Sequence, residues 1–459
     1  MSDISKIKHL YARAGFGLQV SHIKMAERQT LEEAIELIFK SSEVKQPLSL
    51  FKQNINYKQI SKTDSLSKKM FLKQQRQKEK ELNLAWINQM SSTNAILREK
   101  MTLFWHNHFA CRTQNPWHAQ QLNNIHRQYA LGNFRTLLLQ VSQSPAMLQF
   151  LNNQQNKKGH PNENFARELM ELFTIGRGNY TEQDVKESAR AFTGWGFNNN
   201  GNFIERGFLH DDGSKKFMGH AGSFKGIDII NMLLEKKETA RFISAKLYRY
   251  LVNDTPDAVH VNEMADVLYN NNYEVAALLR YVFSADWFYA PANTGNLIKS
   301  PIDLLVGLNR QFDINYDNPD IMMQFQRALG QVLFYPPNVA GWPGGRNWID
   351  SSSLMFRLKI PATILNNGII DFRGKADPED EAFLAVMPNQ PNKVKEQALS
   401  RPHWDKLTGA IYKGLSNMDI AQTIIAPKLS SGLMSIIKQS ADMKTMIIEL
   451  VSTPEYQLC

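Results

Sequence analysis

Cysteine is nearly absent from this chain, which contains only Cys111 and Cys459 among its 459 residues. Two thiols are too few for a cysteine-based zinc cluster, and we expect no structural disulfide. Long apolar runs are also absent, and because a bilayer helix needs roughly 20 apolar residues we expect no membrane span. The segment that follows Met1 lacks the apolar core of a secretory signal. We therefore expect a cytoplasmic protein that is exported only together with a signal-bearing partner.

Motifs that bind nucleotides or activate a nucleophile are missing as well. The sequence has no phosphate-binding P-loop, no dinucleotide fingerprint and no nucleophile elbow. Its net charge of +9 is concentrated between Lys58 and Glu81, where Phe71 is the only aromatic residue. Single-stranded nucleic acid is bound by basic grooves that carry several aromatic side chains. The basic segment is more typical of a solvated helix, and we expect no nucleic-acid partner.

Helical spacing of apolar residues is the strongest pattern that the sequence does contain. Hydrophobic residues make up 43% of the chain and charged residues 21%, which is typical of a globular protein. Apolar residues recur at the helical period along most of the length, whereas strand-like alternation is scarce. Capping boxes at Thr30–Glu33 and Thr181–Asp184 indicate two helix starts. We predict a mainly α, multi-helical globular protein.

Two irregular segments and one polar stretch interrupt the helical pattern. Residues 194–224 contain seven glycines and predict a loop with a short β-hairpin, and residues 334–348 are rich in proline, glycine and tryptophan. Residues 366–402 are mostly polar and are typical of a linker. The sequence thus predicts a helical domain at 1–365, built as one body or as two lobes, and a small helical unit at 403–459.

Histidines are concentrated in one part of the chain, where seven of the eleven lie between His106 and His220. His106 and His108 end a helix predicted over residues 83–109. Residues two apart on a helix diverge by about 200°, so both can face one metal ion only if the helix ends or unwinds there. The alternative is one imidazole in the core with a backbone partner and the other in solvent.

A predicted helix over residues 162–173 carries several acidic side chains on one face. Glu163, Arg167, Glu168 and Glu171 cover this face, and the opposite stripe is apolar. An arginine beside carboxylates keeps them ionised, and ionised carboxylates serve as metal ligands or general bases. The alternative is an ordinary solvated face in which Glu163 and Arg167 form a pair.

A third candidate element combines a histidine with an acidic pair. His210, Asp211 and Asp212 precede Gly213. Histidine next to aspartate suits a divalent metal ion, and it equally suits a hairpin turn.

Six parts of the sequence stand out together: Arg98–Phe109, Gly159–Leu172, Tyr180–Val185 with Ala191–Trp195, His210–Gly213, Lys299–Pro301 and Pro336–Gly345. They closely resemble signature segments of the bacterial family named domain of unknown function 1800. The resemblance covers roughly residues 5–365. The family is itself uncharacterised, so the resemblance implies no particular reaction. Its members are often encoded beside family 1501, whose members resemble alkaline phosphatases and sulfatases, and this implies a partner of that kind.

Our first hypothesis is a metal-assisted or carboxylate-dependent hydrolase. Its catalytic residues would be Glu163, Arg167, Glu168, Glu171 and Asp211. A divalent metal ion would be bound by His106, His108, Glu168 and His210. We expect the three elements to converge on one polar pocket, because buried charges need partners.

The second hypothesis is a non-catalytic binding or export partner of the phosphatase- or sulfatase-like protein. In this case Trp342 and Trp348 of the irregular loop would act as anchors, since aromatic side chains dominate protein interfaces.

Overall fold

The computed structural model describes residues 3–19, 22–52, 64–373 and 393–459, and helices dominate it as expected. None of the described helices is both long enough and apolar enough to cross a membrane. In chain order the α-helices are α1 Asp3–Ala14, α2 Ile23–Ala26, α3 Leu31–Ser41, α4 Ser65–Ser92, α5 Ile96–His108, α6 Pro116–Tyr129, α7 Phe134–Ser142, α8 Pro145–Phe150, α9 Asn164–Glu168, α10 Glu182–Ala191, α11 Gly226–Glu235, α12 Lys237–Leu251, α13 Ala258–Asn270, α14 Val275–Ser284, α15 Pro301–Phe312, α16 Ile321–Leu329, α17 Ser351–Leu365, α18 Trp404–Lys406, α19 Asn417–Ile424, α20 Ser431–Gln439 and α21 Met443–Val451.

Short antiparallel strand pairs supplement the helices. The strands are β1 Trp195–Phe197, β2 Phe203–Glu205, β3 Lys215–Phe217, β4 His220–Gly222, β5 Ile314–Tyr316, β6 Ile369–Arg373, β7 Lys393–Gln397 and β8 Ser400–Pro402. The insert at 194–224 contains two hairpins, one more than predicted, formed by β1 with β2 and by β3 with β4. Two further pairs, β5 with β8 and β6 with β7, were not predicted.

Both predicted capping boxes are confirmed. The Thr30 hydroxyl accepts a hydrogen bond from the Glu33 amide, and the Glu33 carboxylate accepts one from the Thr30 amide. Thr181 and Asp184 form the same reciprocal pair at the start of α10. Each box satisfies amide groups that the first helical turn leaves unpaired.

The single helix predicted over 83–109 is wrong, because two helices meet there at an extended turn. Helix α4 ends before Thr93, whose backbone is extended. The Arg310 guanidinium, from α15, donates hydrogen bonds to the carbonyl groups of Met90, Ser91 and Thr93 at distances of 2.8–3.2 Å. These carbonyls lack a partner within α4 because the helix ends there. Their donor, Arg310, is distant in sequence, so no local pattern indicates the break.

The buried apolar side chains form one continuous cluster that extends from Ile7 to Tyr456. Helices α19, α20 and α21 contribute to it, and α21 packs against α17. The backbone of Cys459 also pairs with Leu297 through two hydrogen bonds, of 2.9 and 3.4 Å. The predicted helical unit at 403–459 therefore shares its core with the preceding helices, while the division at residue 366 stays a prediction.

Candidate functional site

The acidic segment predicted as one α-helix is an α-helix followed by a π-helical turn. Helix α9 gives way to a π-helix at Leu169–Phe173. The Thr174 hydroxyl donates to the Leu169 carbonyl at 2.6 Å. In this wider turn the backbone hydrogen bonds join residues five apart. Met170 is buried and Leu172 is partly exposed, so the burial of side chains departs from the α-helical period. Such turns occur frequently at functional sites.

Arg167 links the acidic segment to α10. Its guanidinium donates to both carboxylate oxygens of Glu182, at 2.7 and 2.8 Å, and to Glu163 at 3.2 Å. The hydrogen bonds to Glu182 raise the pKa of Arg167, with burial acting against them. The predicted pair of Glu163 and Arg167 is confirmed, but the stronger, bidentate partner Glu182 was not foreseen.

Glu171 is held in its ionised form by two neighbours. The Tyr180 hydroxyl donates to its carboxylate at 2.7 Å, and Arg177 donates through Nε at 3.0 Å. The bond from Tyr180 and then that from Arg177 lower the pKa of Glu171. Burial and the bond to Glu171 raise the pKa of Tyr180 to about 12, so this hydroxyl stays protonated at neutral pH.

Glu168 lies beside Glu171 in the opposite electrostatic situation. It is half-buried, and within the described part of the chain its carboxylate accepts no hydrogen bond and forms no ion pair. Burial first, and then repulsion from Glu171, raise the pKa of Glu168, and Arg167 and Arg177 only partly oppose this. Two carboxylates of one helical segment thus have pKa values shifted in opposite directions, a pattern also found in carboxylate pairs that serve as acid and base.

His210 and Asp211 are bound to the end of α10. The His210 Nδ1–H donates to the Thr193 carbonyl at 2.9 Å, and the Asp211 amide donates to the Thr193 hydroxyl at 2.8 Å. Arg190 donates to the Asp211 carboxylate at 2.8 Å and lowers its pKa. These contacts fit the alternative of a structural turn, and none of them involves Glu168.

His106 is buried in an aromatic environment. Its Nε2 accepts a hydrogen bond from the Phe334 amide at 3.1 Å, and its ring packs edge-on against Trp86 at 5.1 Å between centroids. Burial lowers the pKa of His106 to about 3, so the imidazole is neutral. His106 is thus the core histidine with a backbone partner that the sequence offered as an alternative.

His108 is buried as well, contrary to the expectation that the second imidazole faces solvent. Its Nε2–H donates to the Phe173 carbonyl at 3.2 Å, and its Nδ1 accepts from the Lys246 ammonium at 3.2 Å. Lys246 also donates to the Leu172 carbonyl at 2.9 Å. Because α5 ends at His108, this imidazole faces the π-helix rather than solvent.

The four predicted metal ligands do not form a common coordination sphere. Among the described residues, no three His, Cys, Asp or Glu side chains lie close enough together to hold a metal ion. His106, His108 and His210 instead have separate hydrogen-bond partners: Phe334 for the first, Phe173 and Lys246 for the second and Thr193 for the third. A bound divalent metal stays a prediction that this arrangement does not support.

The prediction that Trp342 and Trp348 anchor a partner protein is wrong. Only 5% of Trp342 and 8% of Trp348 is exposed, so both indoles pack inside the protein. Their loop is held by α5, since the Asn107 side chain binds the Trp342 backbone. The partner itself stays a prediction, without these anchors.

Sequence reasoning missed three residues that organise this region: Asn107, Lys246 and Tyr180. Asn107 and Tyr180 lie within segments that were singled out, at Arg98–Phe109 and Tyr180–Val185. Their position inside these segments was the available signal. Lys246 gave none, because a lysine on a helix is ordinarily solvated.

The protein is multi-helical, and a cluster of carboxylates and arginines lies at its π-helical turn. The chain belongs to the family described as Protein of unknown function (DUF1800), whose model matches residues 9–458. The match includes helices α19, α20 and α21, whereas the resemblance found in the sequence ended near residue 365. No curated protein and no solved structure matches the chain.

Proposed function

We propose that this protein is a carboxylate-dependent hydrolase in which Glu168 acts as the general base. The observation that carries the proposal is the carboxylate pair at the π-helical turn. Glu168 has a raised pKa and no ion pair among the described residues, whereas Glu171 has a lowered pKa. A carboxylate that combines free lone pairs with increased basicity is suited to remove a proton from water.

In the proposed step, the Glu168 carboxylate takes a proton from a water molecule as the water oxygen bonds to the electrophilic atom of the substrate. The bond to the leaving group breaks, and Glu168 returns its proton to that group. Glu171 stays ionised, because Tyr180 and Arg177 donate to it, and its negative charge maintains the basicity of Glu168. Arg177 is 84% exposed and supplies positive charge to an approaching anionic substrate.

The test is hydrolysis of a panel of chromogenic carboxylic, phosphoric and sulfuric esters and glycosides by the purified protein. Glu168→Gln should reduce the rate on any accepted substrate by about a hundredfold or more, the range typical of a lost general base. Glu171→Gln removes the charge that raises the pKa of Glu168. The acidic limb of its pH profile for kcat/KM should therefore move to lower pH.

The control is Glu235→Gln, which neutralises an exposed carboxylate at the end of α11 and should leave the rate unchanged. Circular dichroism would verify that all variants fold. A Glu168→Gln variant as active as the parent, or an acidic limb unmoved in Glu171→Gln, contradicts the assignment.

A further inference from the structure

A second candidate site is a cavity whose lining residues lie far in sequence from the acidic segment. Its volume is about 790 Å³, within the usual range for small-molecule sites. Helices α1, α15 and α19 line it, together with the turn that follows α19. No residue of the Glu168 cluster belongs to its wall.

The wall of this cavity is rich in positive charge. Lys8, Lys299, Arg310 and Lys428 line it, and none of the four forms an ion pair within the described ranges. The negative groups on the wall are Asp303 and Cys459, which both attract Lys299. Asp419 and Glu27 attract Lys8 from outside the wall. On the wall itself, four cations share two negative groups.

Asp303 is already occupied by other partners. One carboxylate oxygen accepts from the Lys100 ammonium at 2.6 Å, and the other accepts from the Ser300 hydroxyl at 2.8 Å. Two further buried arginines, Arg13 and Arg357, are also attracted by this carboxylate. Cys459 and Asp254 also attract Arg13, but Asp303 is shared among several cations, and Arg310 has no carboxylate partner among the described residues.

Arg310 is a buried cation on this wall with an unused hydrogen-bond donor. It is only 7% exposed and lines the cavity, and its Nε has no hydrogen-bond partner. The hydrogen bonds of its guanidinium go to neutral carbonyl groups at the end of α4. Burial of a guanidinium without a carboxylate is unfavourable, so an anion bound beside Arg310 would be stabilised by it.

Apolar side chains line another part of the wall and include Ala12, Phe16, Met418, Ile425 and Leu429, beside polar ones such as Gln311 and Gln422. A small inorganic anion would leave this surface without a partner. We propose that the cavity binds an amphipathic organic anion, with its headgroup among Lys8, Lys299 and Arg310 and its alkyl chain against the apolar wall.

Calorimetric titration with decanoate, decyl phosphate, decanol and decyltrimethylammonium tests both halves of the proposal. We expect saturable binding of one decanoate or decyl phosphate per chain, at least tenfold tighter than binding of decanol or of the cation. The comparison of the two anions identifies the preferred headgroup. Equal affinity for decanoate and decanol, or no saturable binding of either anion, overturns the proposal.

Three variants locate the binding. Lys8→Gln should weaken decanoate binding about three- to tenfold, whereas Lys6→Gln, on the same helix but paired with Asp286, should not. Ala12→Phe fills the cavity from α1 and should abolish binding while the protein keeps its helical content. Undiminished binding to a folded Ala12→Phe variant places the ligand elsewhere and overturns the assignment. Arg310 is left intact, because it also holds the end of α4.

Discussion

The side-chain amide of Asn107 pairs with both polar groups of the Trp342 backbone. Its Oδ1 accepts from the Trp342 amide at 2.7 Å, and its Nδ2 donates to the Trp342 carbonyl at 3.3 Å. This contact joins the end of α5 to the irregular loop 334–348, as does the bond from the Phe334 amide to His106. The sequence predicts no regular element in this loop, but a short 3-10 helix forms at Gly345–Trp348. The bonds to Asn107 and His106 hold the rest of the loop against α5.

Replacement of Asn107 by leucine should therefore destabilise the protein. The variant leaves the Trp342 amide and carbonyl without their partners, which should lower the free energy of unfolding by about 1–3 kcal/mol. Because Trp342 is only 5% exposed, its release should also shift tryptophan emission to longer wavelength. Urea unfolding followed by fluorescence measures both effects. Asn270→Leu, at the exposed end of α13, is the control and should change neither.

Gly341 allows the same loop to approach α5 closely. Its φ is +83°, and a β-carbon there would lie 2.6 Å from the Asn107 carbonyl oxygen. Gly341→Ala should lower the free energy of unfolding by about 1–3 kcal/mol. A β-carbon is strained at this positive φ, and it also collides with Asn107. Gly344→Ala is the matched control: its φ is −83° and its position is open, so it should change stability by less than about 0.5 kcal/mol. Equal melting temperatures for both variants would contradict this account of the loop.

Periodicity and capping chemistry were enough to predict a helical fold, because both are local properties. The same reasoning failed at Thr93 and at Thr174, where the helix ends or widens. In the first case the decisive donor is Arg310, more than two hundred residues away in the chain, and no periodic pattern reports such a contact. At the candidate site, helical spacing placed Glu168 and Glu171 on one face. Their difference in pKa depends on Tyr180 and Arg177, which only the folded chain brings to Glu171.

A buried ion pair holds α5 to α6 and gives a further prediction. The Glu99 carboxylate accepts from Arg127 at 2.6 and 3.0 Å and from the Trp86 indole at 2.8 Å, and the Glu99 and Arg127 side chains are each only 2% exposed. Glu99→Gln leaves a buried guanidinium uncompensated and should cost about 3–5 kcal/mol. Asp266→Asn, which breaks an exposed pair with Lys237, should cost less than about 1 kcal/mol. Thermal and denaturant unfolding of both variants would measure the contrast, and similar losses would argue against it.

The last prediction concerns the pH dependence of stability through Lys246. Burial lowers the pKa of Lys246 from 10.5 to about 8, with repulsion from Arg249 as the smaller cause. Between pH 8 and 10.5 the unfolded chain therefore retains this proton while the folded protein has lost it. Unfolding takes up a proton in that interval, so the free energy of unfolding contributed by this group rises with pH.

Lys246→Met has no such group, and Lys237→Met removes an exposed lysine of the same helix as a control. Urea unfolding of all three proteins at several values between pH 8 and 10.5 isolates the effect, because the other titrating groups are common to them. The parent should gain stability relative to Lys246→Met as the pH rises, and it should show no such trend relative to Lys237→Met. A constant difference between the parent and Lys246→Met would mean that Lys246 keeps an ordinary pKa. Its contacts with His108 and Leu172 would then have to be made by an ammonium that remains charged throughout the interval.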